Sequence, residues 1–358
     1  SMDKEISDLL QHQTYDVVSR RSLPNGRKPT KGKWVYKIKY NRDGTIDRFK
    51  SRFVVCGYSQ REGIDYDQAF SSTLRAASFR LLMALCAIKG YAVEHMDVTS
   101  AFTQALLDDV DIWVEPPKGY EEYERDGKTT KVLKLKRALY GTKQASRLWQ
   151  NTLRDYLVSE GFACSLQDPC LYVRHTGKFT IMLGVYVDDL VVAHNDLEHF
   201  HGFRRNFERR FRSKHLGKLS WFLGMSVDQL ADGSIELGHQ KYIKDLVEKF
   251  YGNVHQSTPF YRTPVNDKSF SCIGNAEDDI ERSKMVNKPY ISLVGSLLYL
   301  STMSRPDVSF HLSKLCKYMS DPNMACYDCA VHLLLYLLTT SKFRIRYSKD
   351  ITVADGMY

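Results

Sequence analysis

The sequence predicts an α+β fold. Three observations carry this. Short β-branched runs and segments of helical period are mixed without strict strand–helix–strand alternation. Residues 290–338 read as helices alone. Residues 179–193 set two apolar runs on either side of an adjacent acidic pair, Asp188 and Asp189. Each of these runs is too short for a helix of its own and is rich in β-branched residues, so they read as two buried strands meeting at an acidic turn. Two like charges at the tip of a buried hairpin are costly unless something neutralises them. A hard divalent cation such as Mg²⁺ is one solution, because it takes carboxylate oxygens and keeps positions open for phosphate and water. An isolated Asp-Asp turn is more commonly a solvated turn, so support has to come from elsewhere in the chain.

At 358 residues the chain exceeds one ordinary core, and two or three subdomains are expected. Its apolar fraction of 43% and charged fraction of 26% are those of a soluble globular protein. No apolar run is long enough to span a bilayer, and no signal-peptide pattern opens the chain. Ser1-Met2 reads as a cloning scar before a start methionine. The net charge of +9 is unevenly spread: residues 1–60 hold 13 Lys/Arg against 6 Asp/Glu, and residues 203–218 hold seven basic residues and one acid. Concentrated positive charge suits a polyanion such as nucleic acid. For the second segment alone, a solvated helix face is the alternative. The eight cysteines follow no secreted-type framework and read as reduced thiols of an intracellular protein. Cys326 and Cys329 form a lone C-x-x-C in a helical pattern, which reads as packing rather than zinc.

In chain order, residues 1–30 are polar and irregular. In residues 31–40, Trp34, Tyr36, Ile38 and Tyr40 alternate with Lys33, Val35, Lys37 and Lys39, a strand with an apolar and a mostly basic face. A turn at 41–44 and a returning strand at 48–56 complete a basic hairpin, either a surface hairpin or a phosphate-gripping flap. Residues 78–90 have core-helix spacing. Residues 91–97 then form a short strand that delivers Asp97 at its end. Further strands are expected at 111–115, 131–136 and 170–174, and a helix at 144–160 after a turn at Gly141. A basic helix follows at 197–211, then strands at 219–227 and 234–238 and a helix at 240–250. Polar, acidic residues 266–288 are the best linker candidate. The remainder reads as three helices, 290–300, 308–319 and 325–338.

Asp97 and the Asp188–Asp189 pair sit at strand ends that neighbouring strands can bring together. Three carboxylates at one spot can hold two Mg²⁺ ions, one activating an attacking hydroxyl and one steadying the leaving group of a phosphoryl displacement. Here the chain resembles a known family. Tyr186-Val187-Asp188-Asp189 is similar to the Y-x-D-D box of reverse transcriptases, and residues 95–102 (His-Met-Asp-Val-Thr-Ser-Ala-Phe) to their first acidic motif. Residues 138–149 (Ala-Leu-Tyr-Gly-Thr-Lys-Gln-Ala-Ser-Arg-Leu-Trp) resemble the L-Y-G-L-K-Q-x-x-R-x-W box of copia-type LTR retrotransposons. Further marks of that type are residues 49–57, 63–66 with Phe70, 221–224, 290–299 and 304–307. The resemblance runs from about residue 30 to about 347, and the ordered set gives weight to each member.

The resemblance implies a right-hand polymerase of palm, fingers and thumb with a helical connection-like region at its C-terminal end. Fingers would take 1–90, palm 91–118, a fingers/palm helix box 119–160, palm again 161–235 and thumb 236–265. The linker would be 266–288 and the helical thumb or connection-like region 289–358. Asp97, Asp188 and Asp189 would be catalytic. The metal ligands would be Asp97, Asp188, Asp189 and the Val98 carbonyl, holding two Mg²⁺ ions for which Mn²⁺ can substitute. Asp97 and Asp188 would be the chief ligands. Lys50 and Arg52 would grip the triphosphate, with Phe102 as a steric gate against a ribose 2′-OH and Gly141, Gln144 and Tyr186 also at the nucleotide. For Phe102 the alternative is core packing, and for Gln144 local contacts at a helix start. Trp221, Phe222, Leu223 and Gly224 would hold the primer end, the helix at 240–250 would follow the template–primer groove, and the basic residues 204–212 would meet backbone phosphate.

The implied partners are an RNA template, a DNA or RNA primer and dNTP, with no membrane and with a homodimer allowed. The implied location is cytoplasmic, including virus-like particles, or nuclear. Copia-type enzymes normally continue into an RNase H domain. Here the tail at 350–358 carries no acidic motif of that kind, and no RNase H activity is expected. The rival readings are a non-catalytic nucleic-acid-binding or capsid-like protein derived from a retrotransposon, and an RNA-templated RNA polymerase on the same palm.

Overall fold

The computed structural model describes residues 1–40, 45–107, 110–252 and 258–349. The turn expected at 41–44 and the tail from 350 lie outside the described residues. The chain opens with helix α1 (Met2–Gln11) and strand β1 (Tyr15–Val18), then the hairpin β2 (Gly32–Tyr40) and β3 (Ile46–Val55). Helix α2 (Ala76–Lys89), β4 (Ala92–Val98), β5 (Trp113–Val114) and β6 (Val132–Leu135) lead to α3 (Ala145–Ser159). Next come β7 (Ala163–Cys164), β8 (Leu171–Thr176), β9 (Phe179–Tyr186), β10 (Asp189–His194), α4 (Leu197–Arg210) and β11 (Ser213–Lys218). Strands β12 (Trp221–Phe222), β13 (Met225–Gln229) and β14 (Ile235–Gly238) precede α5 (Gln240–Phe250), α6 (Asp267–Phe270) and α7 (Asp279–Met285). Helices α8 (Tyr290–Met303), α9 (Ser309–Cys316) and α10 (Met324–Thr339) and strand β15 (Ile345–Tyr347) complete the described elements. Among them, no helix is long and apolar enough to cross a membrane.

The chain divides into two compact units: Ser1–Leu74 with Glu94–Gly217, and Arg75–Val93 with Lys218–Tyr358. The first unit holds a six-stranded sheet in the order β11-β4-β10-β9-β8-β7, a three-stranded sheet β1-β6-β5, and the β2-β3 hairpin. Order β4-β10-β9 puts the strand ending near Asp97 beside the acidic hairpin, although 90 residues of chain separate them. Helix α4 turns Phe200, Phe203 and Phe207 inward, all fully buried. Phe207 and Phe211 pack edge-on against Tyr156 of α3. This apolar stripe at helical spacing is why so basic a helix has a fixed orientation.

The second unit joins the sheet β12-β13-β14-β15 to helices whose cluster includes Leu293, Leu297, Leu312, Leu333 and Leu337, all fully buried. Cys326 and Cys329 belong to that cluster as packing residues. Arg305, of the Ser304–Asp307 motif, is 2% exposed. Its Nε and Nη2 donate to the two Asp307 oxygens at 2.9 and 2.7 Å, and Nη2 also donates to Thr340 Oγ1 at 2.7 Å.

Several expectations need correcting. Residues 1–30 are not irregular: α1 turns Leu9 into a core with Tyr15, Phe53 and Leu135, and the apolar i, i+3 pair Ile6/Leu9 was the available signal. The strand expected at 219–227 is broken into β12 and β13. Leu223 (φ 49°) and Gly224 (φ 77°) form a two-residue turn with Phe222 opposite Met225, the left-handed pair that a type I′ hairpin needs. Residues 266–288 are not a bare linker, since they carry α6 and α7 and bury Ala276 and Met285. Helix α2 lies in the second unit.

Candidate active site

The site grows from the β9–β10 hairpin. Tyr186 lies opposite Asp189, which leaves Val187 and Asp188 as a two-residue loop. Such a loop demands positive φ, and Val187 takes φ 58°, where a β-branched residue is a true outlier. Backbone strain of this sort persists only where the surroundings over-determine it. Two contacts do so. The indole Nε1 of Trp149, itself 2% exposed, donates to the Val187 carbonyl at 2.7 Å. The Val98 N–H donates to the Asp188 carbonyl at 2.8 Å, tying the end of β4 to the turn. Trp149 was legible only as part of a sequence box. Its task is to hold the acidic turn.

Electrostatics there are adverse. Burial pushes the Asp97 carboxyl above its ordinary range, and the charge of Asp189 pushes it further, against the lowering pull of His95, Lys50 and Lys214. Asp188 is raised by burial first and by Asp189 and Asp97 next, against its own backbone N–H and Arg52. His95 Nε2 lies 3.0 Å from Asp189 Oδ1, a partner that the motif contained but sequence reasoning left without a role. Among the described residues, no group of three His, Cys, Asp or Glu side chains is gathered closely enough to hold a metal ion. In chemistry the donor set nonetheless fits a hard divalent cation. Its donors are oxygens, and the ionisation of Asp97 and Asp188 is opposed by burial and neighbouring carboxylates, both of which such a cation offsets.

The basic hairpin supplies the opposite charge. In its register Lys37 faces Lys50 and Val35 faces Arg52. Its apolar side is largely exposed beyond Trp34, with Tyr36 at 64% and Phe49 at 63%. Lys50 has a lowered pKa, from burial first and then from Arg52, Lys39 and Arg48. It lines a cleft of about 330 Å³ together with Arg48, Thr99, Ser100, Arg212 and Lys214. Helix α1 adds Glu5 and Asp8 to the same cleft. Phe53 N–H donates to Glu5 Oε1 at 3.3 Å, and Arg212 pairs with Asp8 at 3.3 Å. Gln104 braces the floor: its Nε2 donates to the Thr99 carbonyl at 2.8 Å, and its Oε1 accepts from Arg212 N–H at 2.8 Å. Arg212 closes the basic stretch 204–212 expected at backbone phosphate, whereas Lys214 and Gln104 were not given a role from the sequence, because nothing local marks a residue that reaches a cleft through the fold.

Arg52 lies over the ring of Tyr140, 4.9 Å from its centroid. Tyr140 in turn meets Phe102 edge-on at 5.0 Å. Gly141, at φ +89°, lies so close to the end of β3 that a Cβ would overlap the Val55 carbonyl oxygen, and Val55 N–H donates to the Tyr140 carbonyl at 2.7 Å. Gln144 is 3% exposed, and its amide is engaged by residues distant in the chain. Its Oε1 accepts from Gln60 at 3.2 Å, and its Nε2 donates to the Asp65 carbonyl at 3.0 Å. It is not among the residues lining the cleft.

The remaining expected residues belong to the second unit. Trp221 is 42% exposed, Phe222 is buried and stacks on Phe79 at 4.8 Å, and the Leu223 carbonyl accepts from the Tyr299 hydroxyl.

A family model described as "Reverse transcriptase (RNA-dependent DNA polymerase)" matches residues 12–264, a span that contains every residue of the acidic site, the basic hairpin and the helix box. The chain is 31% identical over 360 residues to the retrovirus-related Pol polyprotein from transposon RE1 of Arabidopsis thaliana, covering 100% of this chain and 23% of that polyprotein. It is 31% identical over 347 residues to the retrovirus-related Pol polyprotein from transposon TNT 1-94 of Nicotiana tabacum, covering 95% of this chain and 25% of the polyprotein. A transposon Ty5-1 protein of Saccharomyces cerevisiae is 31% identical over 265 residues, 74% of this chain and 82% of that protein. The chain spans about a quarter of the length of the plant polyproteins it matches. The copia-type resemblance of the motifs and these transposon relatives agree, and the chain belongs to the reverse transcriptase (RNA-dependent DNA polymerase) family.

Proposed function

We propose that the chain is a template-directed DNA polymerase that copies RNA, and also DNA, by joining a deoxynucleotide to the 3′-hydroxyl of a DNA or RNA primer with release of pyrophosphate. The observation that carries this reading is the presence in one compact unit of acidic strand ends (Asp97, Asp188, Asp189) and the Lys50/Arg52 hairpin. Asp97 and Asp188, with Asp189 and the Val98 carbonyl, would hold two Mg²⁺ or Mn²⁺ ions. When bound, these supply hydroxyl activation and neutralisation of the developing phosphate charge. The chain's own share is positioning and electrostatics. Lys50 meets phosphate as a point charge and Arg52 as a planar fork. Phe102 stands against a ribose 2′-OH, and Gly141, Gln144 and Tyr186 shape the nucleotide's surroundings. Trp221 to Gly224 hold the primer end, α5 follows the template–primer duplex, and the exposed arginines of α4 meet backbone phosphate. The division into palm (β4, β9, β10), fingers (β2, β3) and thumb (α5) belongs to the same proposal.

Primer extension on poly(rA)/oligo(dT) with Mg²⁺ or Mn²⁺ tests it, with dNTPs and rNTPs compared side by side. Incorporation of dNTP that Asp188→Asn abolishes is the expected result. No incorporation by the natural chain, or undiminished incorporation by Asp188→Asn, sinks the reading. Salt-sensitive nucleic-acid binding without product would point instead to the non-catalytic binder. A natural chain that prefers rNTPs would overturn the gate assigned to Phe102, whereas new rNTP use by Phe102→Ala supports it.

A further inference from the structure

We propose that Tyr140 is a positioning residue that couples the triphosphate-gripping Arg52 to the sugar-facing Phe102, so that a single ring sets both nucleotide affinity and discrimination against ribose. This inference rests on the nucleotide reading of the site.

The geometry is a three-part stack inside the first unit. The Arg52 guanidinium lies 4.9 Å from the Tyr140 centroid. On the ring's other contact, Phe102 approaches at 5.0 Å with an interplanar angle of 60°. An aromatic ring under a guanidinium fixes the plane of the fork, and an edge-to-face partner fixes the ring. Tyr140 has little freedom to follow its neighbours. Its carbonyl is held by Val55 N–H at 2.7 Å, the next residue is wedged against Val55, and the Ser100 side chain lies beside its phenol, pulling down a pKa that burial raises. Ser100 is three residues past Asp97 and lines the basic cleft. Tyr140 therefore touches the hairpin that carries the cations, the short helical turn that carries Phe102 and the loop after the first aspartate. Arg52, in contrast, projects from a two-stranded hairpin, and its cross-strand neighbour Val35 is exposed. Without the ring its guanidinium keeps its charge but loses its orientation, and a fork that must meet phosphate in one plane loses affinity.

Single-nucleotide incorporation kinetics on the full chain decide the matter, with dTTP and rUTP measured for wild type, Tyr140→Leu and Tyr140→Phe. Tyr140→Leu is expected to raise the KM for dTTP by about 5- to 30-fold with a smaller change in kcat. It should also lower the dTTP/rUTP ratio of kcat/KM by roughly tenfold, as Phe102 loses its edge contact. Tyr140→Phe keeps the ring and should recover most of both effects. A merely structural role would instead cut the active fraction and leave the ratio where it was. An unchanged ratio and KM in Tyr140→Leu, or equal losses in the Phe and Leu variants, overturns the proposal. Should Tyr140→Leu lose its cooperative melt, Arg52→Lys reads the same contact, since it keeps the charge and gives up the planar stack. A wild-type KM in Arg52→Lys likewise overturns it. The wild-type reaction separates the two levels: no dTTP incorporation removes the polymerase reading and this inference with it. Normal wild-type incorporation with indifferent Tyr140 variants removes the inference alone.

Discussion

Gly141→Ala is the sharpest perturbation the fold offers, because two independent costs meet at one atom. Gly141 takes φ +89°, and an added Cβ would overlap the Val55 carbonyl oxygen and stand 2.7 Å from Val54 Cγ1. The first cost is conformational, about 1–3 kcal/mol for a non-glycine residue in that region. The second is steric, about 1–3 kcal/mol for overpacking against atoms that cannot yield cheaply, here a strand backbone. Pushing the end of β3 away also endangers the Val55–Tyr140 backbone bond of 2.7 Å, worth about 1 kcal/mol. Together these come to roughly 3–7 kcal/mol, and so to a fall in melting temperature of about 10 °C. Gly177→Ala is the built-in control. That residue also has positive φ (+61°), but nothing lies within 4 Å of its Cβ position, so only the conformational cost of about 1–3 kcal/mol applies. Thermal melts and urea midpoints of both variants give the comparison. Since β3 carries Lys50 and Arg52, Gly141→Ala should also raise the KM for dNTP. A Gly141→Ala melt within about 2 °C of the Gly177→Ala melt refutes the close-approach reasoning.

Three further outcomes follow from the same geometry. Folded Asp97 and Asp188 hold protons above the ordinary carboxylate range, so the folded state binds more protons than the unfolded one. Their contribution to stability therefore falls as pH rises from the unfolded value near about 4 through the raised folded pKa values. Asp188→Asn should melt above wild type at about pH 8 and alongside it below about pH 4. Millimolar Mg²⁺ should narrow the gap by stabilising wild type alone, and a Mg²⁺ shift equal in both chains contradicts the assignment. Lys214→Gln removes a cation that faces Asp97 and lines the cleft, and its KM for dNTP should rise about tenfold, against no change if the cleft does not receive phosphate. Arg305→Ala strips Asp307 and Thr340 of their buried partner and should cost about 3–5 kcal/mol by urea denaturation. Arg305→Lys should recover only part of this, because a point charge cannot reproduce the fork.

Periodicity and motif spacing made much of this legible. The basic hairpin, the acidic hairpin, Asp97 at a strand end and the three C-terminal helices each follow from apolar spacing that one element alone can satisfy. What spacing does not contain is partnership across the chain. Residues 138–149 were readable as a box, yet Trp149 bonds Val187 and Tyr140 lies under Arg52, contacts that span 38 and 88 residues. Gln144 illustrates the converse, since its position in the box gave no sign that Gln60 and Asp65 engage its amide. Local signals were also misread where two conformations share one pattern. Residues 219–227 are apolar enough for a single strand, and only the left-handed backbone at Leu223 and Gly224 reveals the turn. Helix α1 was missed because its apolar stripe is narrow, with just Leu9 fully buried.

The direction in which the site's charged groups are shifted sharpens the functional reading. A protein that needed acids and bases here for stability would pair them, and pairing would lower the carboxylates and raise the lysine. The opposite holds on both sides. Asp97 is raised although Lys50, Lys214 and His95 all pull it down, because burial and Asp189 outweigh them. Lys50 is lowered although Glu5 supports its charge, because burial and three neighbouring cations outweigh it. Burial and like charge thus penalise the charged forms of Asp97, Asp188 and Lys50, and the opposite charges nearby offset this only in part. On the proposed reading, a metal-bound triphosphate, cationic toward the aspartates and anionic toward the hairpin, would offset both penalties. The strain at Val187, held by Trp149, acts in the same direction. It fixes the main chain under Asp188, so the turn that carries the carboxylate is held in one conformation.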